Sequence, residues 1–323
     1  LKITKIILRF IRINNKQGGR MEKNRLFTIA AIALIALSVT GHSGEKPNWG
    51  DEKNGFILQY RLTNGQKIDY EISAKGNQLT EMGTQKQASD FENFLNFTLA
   101  GSQANEPDRI TGQITINKMQ MKTMQNTGEE VAELDRDLSK VIGKSFGFIF
   151  SPLGKELDFP GVEALTVDMG PTEGGVRDVR QHFAGILPDL PDRPVKVGDT
   201  WISKDETTLP MGSYSVKSIT ETTSKVEGIE KIEDNECLKI HSTASGTMES
   251  SGTMMQMPFK LNGEVTAENT WYFVYKKGIW SKSSGNTSLK MMVLVGGDQG
   301  MKIPITVKTV NEGRLVKPAS PIK

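Results

Sequence analysis

Between Thr200 and Val310 the chain runs through nine short segments in which apolar and polar residues alternate. A period of two puts successive side chains on opposite faces, which suits a half-buried strand and not a helix. The segments are Thr200–Asp205, Ser213–Thr220, Ser224–Ile232, Glu236–Ser245, Thr247–Gln256, Lys260–Tyr275, Ile279–Ser284, Thr287–Val295 and Lys302–Val310. Gly246, Gly252, Gly263, Gly278, Gly285 and Gly296-Gly297 punctuate them. Many short strands at even spacing predict antiparallel curved sheets, as a sandwich or half-barrel.

The N-terminal half mixes periods. Phe56–Leu62 and Lys67–Ser73 flank Asn64-Gly65, a strong hairpin signal because both turn residues tolerate positive φ. Phe91–Leu99 fits either a helix or a strand, and the weak helix formers Asn93, Asn96 and Thr98 favour the strand. In Ile110–Met124 the inward parity changes between Ile116 and Met119. One extra residue near Asn117-Lys118, a β-bulge, would keep a single inward face. Phe146, Phe148 and Phe150 alternate, Ser151-Pro152-Leu153-Gly154 turns, and Leu157 and Phe159 return. Two segments carry helical spacing: Glu129–Ile142, through Val131, Leu134, Leu138, Val141 and Ile142, and Val176–Leu187, through Val179, Phe183 and Ile186. The expected class is therefore mainly β (α+β) with two amphipathic helices. Three prolines between Leu187 and Val195 mark a stiff connector.

Upstream, Met21–Ser43 has Lys23 and Arg25, then an apolar run from Leu26 to Val39, then Gly41, Ser43 and Gly44. That is the layout of a secretory signal peptide. The run is shorter than the ~20 residues that span a bilayer. Position 41 is Gly, so the cysteine of a lipoprotein signal is missing there. Lys16-Gln17-Gly18-Gly19-Arg20 can be encoded as a purine-rich ribosome-binding site ahead of Met21. Residues 1–20 accordingly read as an upstream extension, with a genuine basic extension as the alternative. The expected organisation is 1–20 extension, 21–43 signal, 44–54 linker, 55–170 N-terminal β/α half, 171–194 helix and connector, 195–317 C-terminal β half, and 318–323 tail. The product is expected to be exported, periplasmic or extracellular, with no transmembrane span after cleavage.

Residues 1–43 hold eight of the 40 Lys/Arg and one of the 38 Asp/Glu, so the remainder carries about −5. No basic field is left to attract phosphates, which disfavours nucleic-acid partners. The only cysteine, Cys237, excludes an internal disulfide and reads as a buried thiol. No HExxH, Gly-x-Ser-x-Gly or phosphate-loop pattern occurs, and His182 and His241 have no nucleophile at a telling spacing. No catalytic residue and no cofactor are assigned. Carboxylates are plentiful, but spacing picks out no pair of the kind a glycosidase needs.

Methionine is the compositional oddity. Met119, Met121 and Met124, then Met254, Met255 and Met257, then Met291-Met292 and Met301 recur at strand spacing. Thioethers fill irregular cores and adaptable apolar pockets. Met119, Met121, Phe146, Phe148, Met255, Met257 and Met291 are the candidate lining of a ligand cavity. Met119, Met121, Met255 and Met257 are an alternative soft-metal set for Cu(I).

Pro188-Asp-Leu-Pro-Asp-Arg-Pro-Val-Lys-Val-Gly-Asp-Thr-Trp201, with Phe150-Ser-Pro-Leu-Gly-Lys155 upstream, resembles a family of exported bacterial β-rich proteins of unknown function. Within that segment Gly198-Asp199 makes a tight turn, and Val195, Val197 and Trp201 are expected core anchors. Curved antiparallel sheets with helices in their concavity are also similar in fold to periplasmic lipoprotein carriers, an analogy that does not fix function. The combined expectation is a non-enzymatic envelope protein that holds an apolar or lipid-like molecule, or a protein partner, in a sheet concavity. The alternatives are an envelope-polymer hydrolase with paired carboxylates and methionine-based Cu(I) handling.

Overall fold

The sheet that dominates the computed structural model is built from strands of up to 20 residues. Described are residues 49–102, 106, 108–126, 131–169, 175–211, 214–254, 257–296 and 300–316. The strands are β1 (Gly50–Asp51), β2 (Gly55–Phe56), β3 (Lys67–Met82), β4 (Gln85–Gly101), β5 (Ile110–Asn126), β6 (Val131–Asp135), β7 (Ser145–Phe150), β8 (Glu156–Asp158), β9 (Thr166–Asp168) and β10 (Val176–Asp178). They continue as β11 (Thr200–Met211), β12 (Tyr214–Ile232), β13 (Asn235–Met254), β14 (Met257–Val274), β15 (Ile279–Val295) and β16 (Met301–Val316). β1–β2 and β9–β10 are small separate pairs. All the others join one antiparallel, unclosed sheet in the order β11-β12-β13-β14-β15-β16-β3-β4-β5-β7-β8, with β6 on β5.

The expected mainly β, antiparallel architecture is observed as a single sheet. The nine expected segments from Thr200 to Val310 fuse into six long strands, because most of the glycines between them do not turn. Gly246, Gly263 and Gly285 lie inside unbroken ladders. A Cβ on Gly246 would sit 2.4 Å from the Ile219 carbonyl oxygen, so glycine there permits close strand approach. Gly278 and Gly296, with φ of 66° and 90°, do end strands.

Both expected helices are overturned; no α-helix occurs among the described residues. Val131–Asp135 is β6, paired through Val131 with Asn126 of β5, so its backbone groups bond to a neighbouring strand. Leu138 and Val141 are buried in a turn instead. The second segment opens as β10, and Val176 is 56% exposed. Asp178 then caps a 3-10 turn, Val179–His182, by accepting from the Arg180 N–H at 2.9 Å. Gly185, at φ 78°, ends any helical path.

The hairpin expected at Asn64-Gly65 is also different. Residues 57–62 run extended but bond to loops, Tyr60 N–H to Pro152 and Arg61 N–H to Gly278. Lys67–Ser73 is the start of β3, whose hairpin partner is β4. The bulge is where the parity change requires it. Asn96 faces Lys118 and Phe97 faces Ile116, leaving Asn117 as the extra residue. Ile114, Ile116, Met119 and Met121 consequently share the buried face. The Phe146–Phe159 hairpin is formed by β7 and β8 around Gly154.

Alternation gives the sheet one sheltered and one exposed face along its length. The main core covers only one end of the sheltered face. Phe56, Leu58, Tyr60 and Leu62, together with buried residues of 138–169 and 175–195, pack there against β3–β5 and the adjoining ends of β12–β15. β16 pairs with β3, so the two expected halves share one sheet. The Pro-rich connector packs onto it: the Leu190 N–H donates to Leu153, and Trp201 Nε1 donates to the Asp189 carbonyl at 3.1 Å. Val195 and Trp201 join the core, whereas Val197 is 51% exposed.

Candidate functional site

A short roof stands over the sheltered face. Phe183 follows the Val179–His182 turn and locks it down, with ring centroids 4.9 Å from Phe146 and 5.5 Å from Phe97. Beyond it, both oxygens of Glu156 accept from the Gly185 N–H at 2.9 Å, and one also accepts from the Ile186 N–H at 3.1 Å. Burial pushes the Glu156 carboxyl up to about 7 even though these backbone donors favour its charged form. Asp189 is raised to about 6, first by burial and then by the adjacent Asp205 carboxyl. Burial, with Arg177 nearby, lowers His182 to about 4.

Beneath the roof lies a cavity of about 370 Å³. His182, Ala184, Gly185 and Ile186 form its upper wall. Asn269, Trp271, Trp280, Ser283, Asn311 and Glu312 line it from β14, β15 and β16. Trp280 is fixed by stacking on Tyr70 at 4.2 Å and by an edge contact with Trp271 at 6.0 Å. Gly285, also in the wall, supplies bulk-free backbone.

A second cavity is a cleft of about 740 Å³, where the β12–β13 hairpin tip stands over β15, β16, β3 and β4. Its lining includes Glu71, Glu233, Glu312, Lys282, Arg314 and Phe94. Arg314 Nε donates to Glu71 Oε2 at 2.8 Å. Glu233, at the tip, has φ 54° and is the only non-glycine with positive φ among the described residues. Two-residue hairpin turns normally place Asn or Gly in that conformation, and left-handed backbone at other residue types is concentrated at functional sites. The cleft shares Ile72, Ser283, Ser284 and Glu312 with the roofed cavity. The small residues Ser283 and Ser284 line both, and Ser281 and Gly313 add to the cleft. Volumes in this range accommodate small organic molecules.

The structure disperses the residues chosen from sequence. Met119 and Met121 are buried in β5. Phe146 and Phe148 are buried in an aromatic cluster with Phe159 and Phe183. Met257 opens β14 and is exposed, while Met291 is half-buried on β15 in register with Gly263 and Ile305. Met255 lies outside the described residues. β15, β16, β3 and β4 separate the β5 methionines from Met257. Among the described residues no group of three or more His, Cys, Asp and Glu could hold a metal.

Gly198 turns at φ 96°, and the Asp199 carboxylate accepts from the Lys196 N–H at 3.0 Å, which holds it below the usual range. Cys237 is buried with its Sγ 3.5 Å from Ser281 Oγ, and burial pushes the thiol up. His241 lies 3.5 Å from Glu268. Glu156, Arg314 and the Asp189–Asp205 pair were not legible as a set, because they come from elements far apart in sequence. Trp271 and Trp280 were visible in sequence only as members of the strand segments Lys260–Tyr275 and Ile279–Ser284 on either side of Gly278.

No protein-family model matches the chain, and no curated protein matches it. Solved structures that it resembles weakly are Pseudomonas aeruginosa proteins. OccK5 (OpdH) is 9% identical with a TM-score of 0.23, over 80% of this chain and 100% of that one. The outer membrane protein OprD is 8% identical with a TM-score of 0.24, over 81% and 98%. OccK2 (OpdF), solved in complex with glucuronate, is 4% identical with a TM-score of 0.23, over 80% and 100%. Scores this low do not establish a shared fold.

Proposed function

We propose that this chain is an exported bacterial envelope protein that binds a small polar molecule without transforming it. The observation that carries the reading is the lining of the cleft under the β12–β13 tip. Three carboxylates and two cations line it, beside an apolar side made by Ile72, Phe94, Ile232 and Leu315. Such a wall disfavours a purely apolar guest, because its charged groups would lose hydration against it. The neighbouring roofed cavity adds indole faces and side-chain amides, which suit a ring bearing hydroxyl or amide groups. The signal-like segment Met21–Ser43 and the resemblance of Pro188–Trp201 to exported β-rich proteins support the envelope placement.

The hydrolase alternative draws on one observation, the raised Glu156 and Asp189 carboxyls. Both oxygens of Glu156 are engaged by backbone donors, which makes it a clamp on the roof. Native mass spectrometry of protein isolated from its source cells tests the proposal. A bound polar species is expected, and adding it back to stripped protein should change the fluorescence of Trp271 and Trp280. A bare mass together with an unresponsive spectrum across polar metabolites would refute it, and a co-purified lipid would restore the apolar reading.

A further inference from the structure

We propose that the end of the sheet remote from the main core docks on an anionic lipid surface through methionines at its hairpin tips. The inference is independent of the cavities. Antiparallel register brings four strand ends to that edge: Met82 closes β3, Met211 closes β11, Met257 opens β14 and Met301 opens β16. Met82 is 38%, Met257 46% and Met301 57% exposed, and Met211 is half-buried. A methionine adds nothing to turn geometry, which favours Gly, Asn, Asp and Pro. At the opposite end the turns are charged, Glu233-Asp234 after β12 and Lys276-Lys277 after β14.

Two features point to lipid. The first is a firm platform behind the tips. Phe259 and Val293 are buried although the main core lies at the other end, and Tyr214 meets Phe259 edge-on at 5.0 Å. The tips thus stand on packed side chains, and their flexible, polarizable thioethers can adapt to an irregular apolar medium. The second is charge. Lys260, Leu294 and Lys302 form one cross-strand row on the exposed face just behind the rim, and both lysines are exposed. On β14, β15 and β16 the first carboxylate inward from the rim is Glu264. Apolar tips backed by lysines match an interface of acyl chains below anionic headgroups, since lysine stems lie along apolar surface while their ammonium groups reach the phosphates.

The test is cosedimentation of the chain from Trp49, which forms one unit with the whole sheet and core, so that the apolar run at 26–39 is absent. Vesicles of phosphatidylcholine alone are compared with vesicles that also contain phosphatidylglycerol. Binding is expected to the mixed vesicles, to fall with salt, and to weaken roughly tenfold or more in the M82Q/M257Q/M301Q variant while M82L/M257L/M301L retains it. Lys302→Glu should weaken binding without lowering the melting temperature. Should the triple glutamine variant melt early, Met257→Gln and Met301→Gln serve singly. No binding to either vesicle, undiminished binding by the glutamine variants, or a methionine-dependent dimer in place of vesicle binding would each overturn the proposal.

Discussion

Deleting Asn117 should leave the fold intact, whereas deleting Thr115 two positions earlier should not. Asn117 is the bulge residue of β5, opposed by no residue of its own on β4. Without it the strand reads Ile116 inward, Lys118 outward and Met119 inward, the arrangement already present, so Ile116 and Met119 keep their buried places. What disappears is a pair of exposed hydrogen bonds from Asn117 Nδ2, to Asn96 Oδ1 at 3.0 Å and to Thr98 Oγ1 at 2.9 Å. Such bonds are worth roughly 0.5–1 kcal/mol each, so the loss should be about 1–2 kcal/mol. Deleting Thr115 lets the same bulge absorb the gap, but only by turning Ile116 outward and Asn117 inward. Exposing a fully buried isoleucine forfeits about 2–3 kcal/mol, and burying the amide adds about 1–3 kcal/mol. The total is roughly 3–6 kcal/mol. Urea unfolding followed by circular dichroism measures both variants, and comparable m-values would show that the same surface unfolds. Equal losses for the two deletions would refute the assignment of Asn117 as a spacer.

Gly246→Val should destabilise by about 1–3 kcal/mol, because its Cβ falls on backbone of the neighbouring strand, while Gly228→Ala, whose Cβ meets nothing within 4 Å, should melt close to the wild type; matching melting temperatures would count against close strand approach at Gly246. His182, lowered from 6.5 to about 4, contributes stability that is complete above pH 6.5 and is lost as pH falls toward 4, since the unfolded chain takes up the proton first. Glu156, raised from 4.5 to about 7, acts oppositely and favours the native state as pH falls through that window. His182→Gln should therefore lose less stability than the wild type between pH 7 and pH 4.5, by about 2–3 kcal/mol; parallel pH profiles would show that His182 is not buried neutral.

Strand content was open to sequence because its evidence is local. A period of two is visible in any six residues, and it identified the β5 bulge at Asn117 and the β7–β8 hairpin correctly. Helical spacing failed at Val131–Ile142 and Val176–Leu187 because spacing reports which residues seek burial and not how the backbone satisfies its hydrogen bonds. Leu138, Val141, Phe183, Ile186 and Leu187 are indeed buried. They reach the core through turns whose geometry is set by Asp178, Gly185 and the distant Glu156.

Alternation in the chain by itself determined a mainly antiparallel β protein and, at Ile114, Ile116, Met119 and Met121, which side chains face inward. Only tertiary structure decided that β16 adjoins β3, that interior glycines pass through strands, and that residues from Glu71 to Arg314 meet around one cleft. Side-chain parity is a property of neighbours along the chain. Strand order, close approach and cavity lining depend on contacts between residues far apart in sequence, where one local pattern is compatible with many pairings.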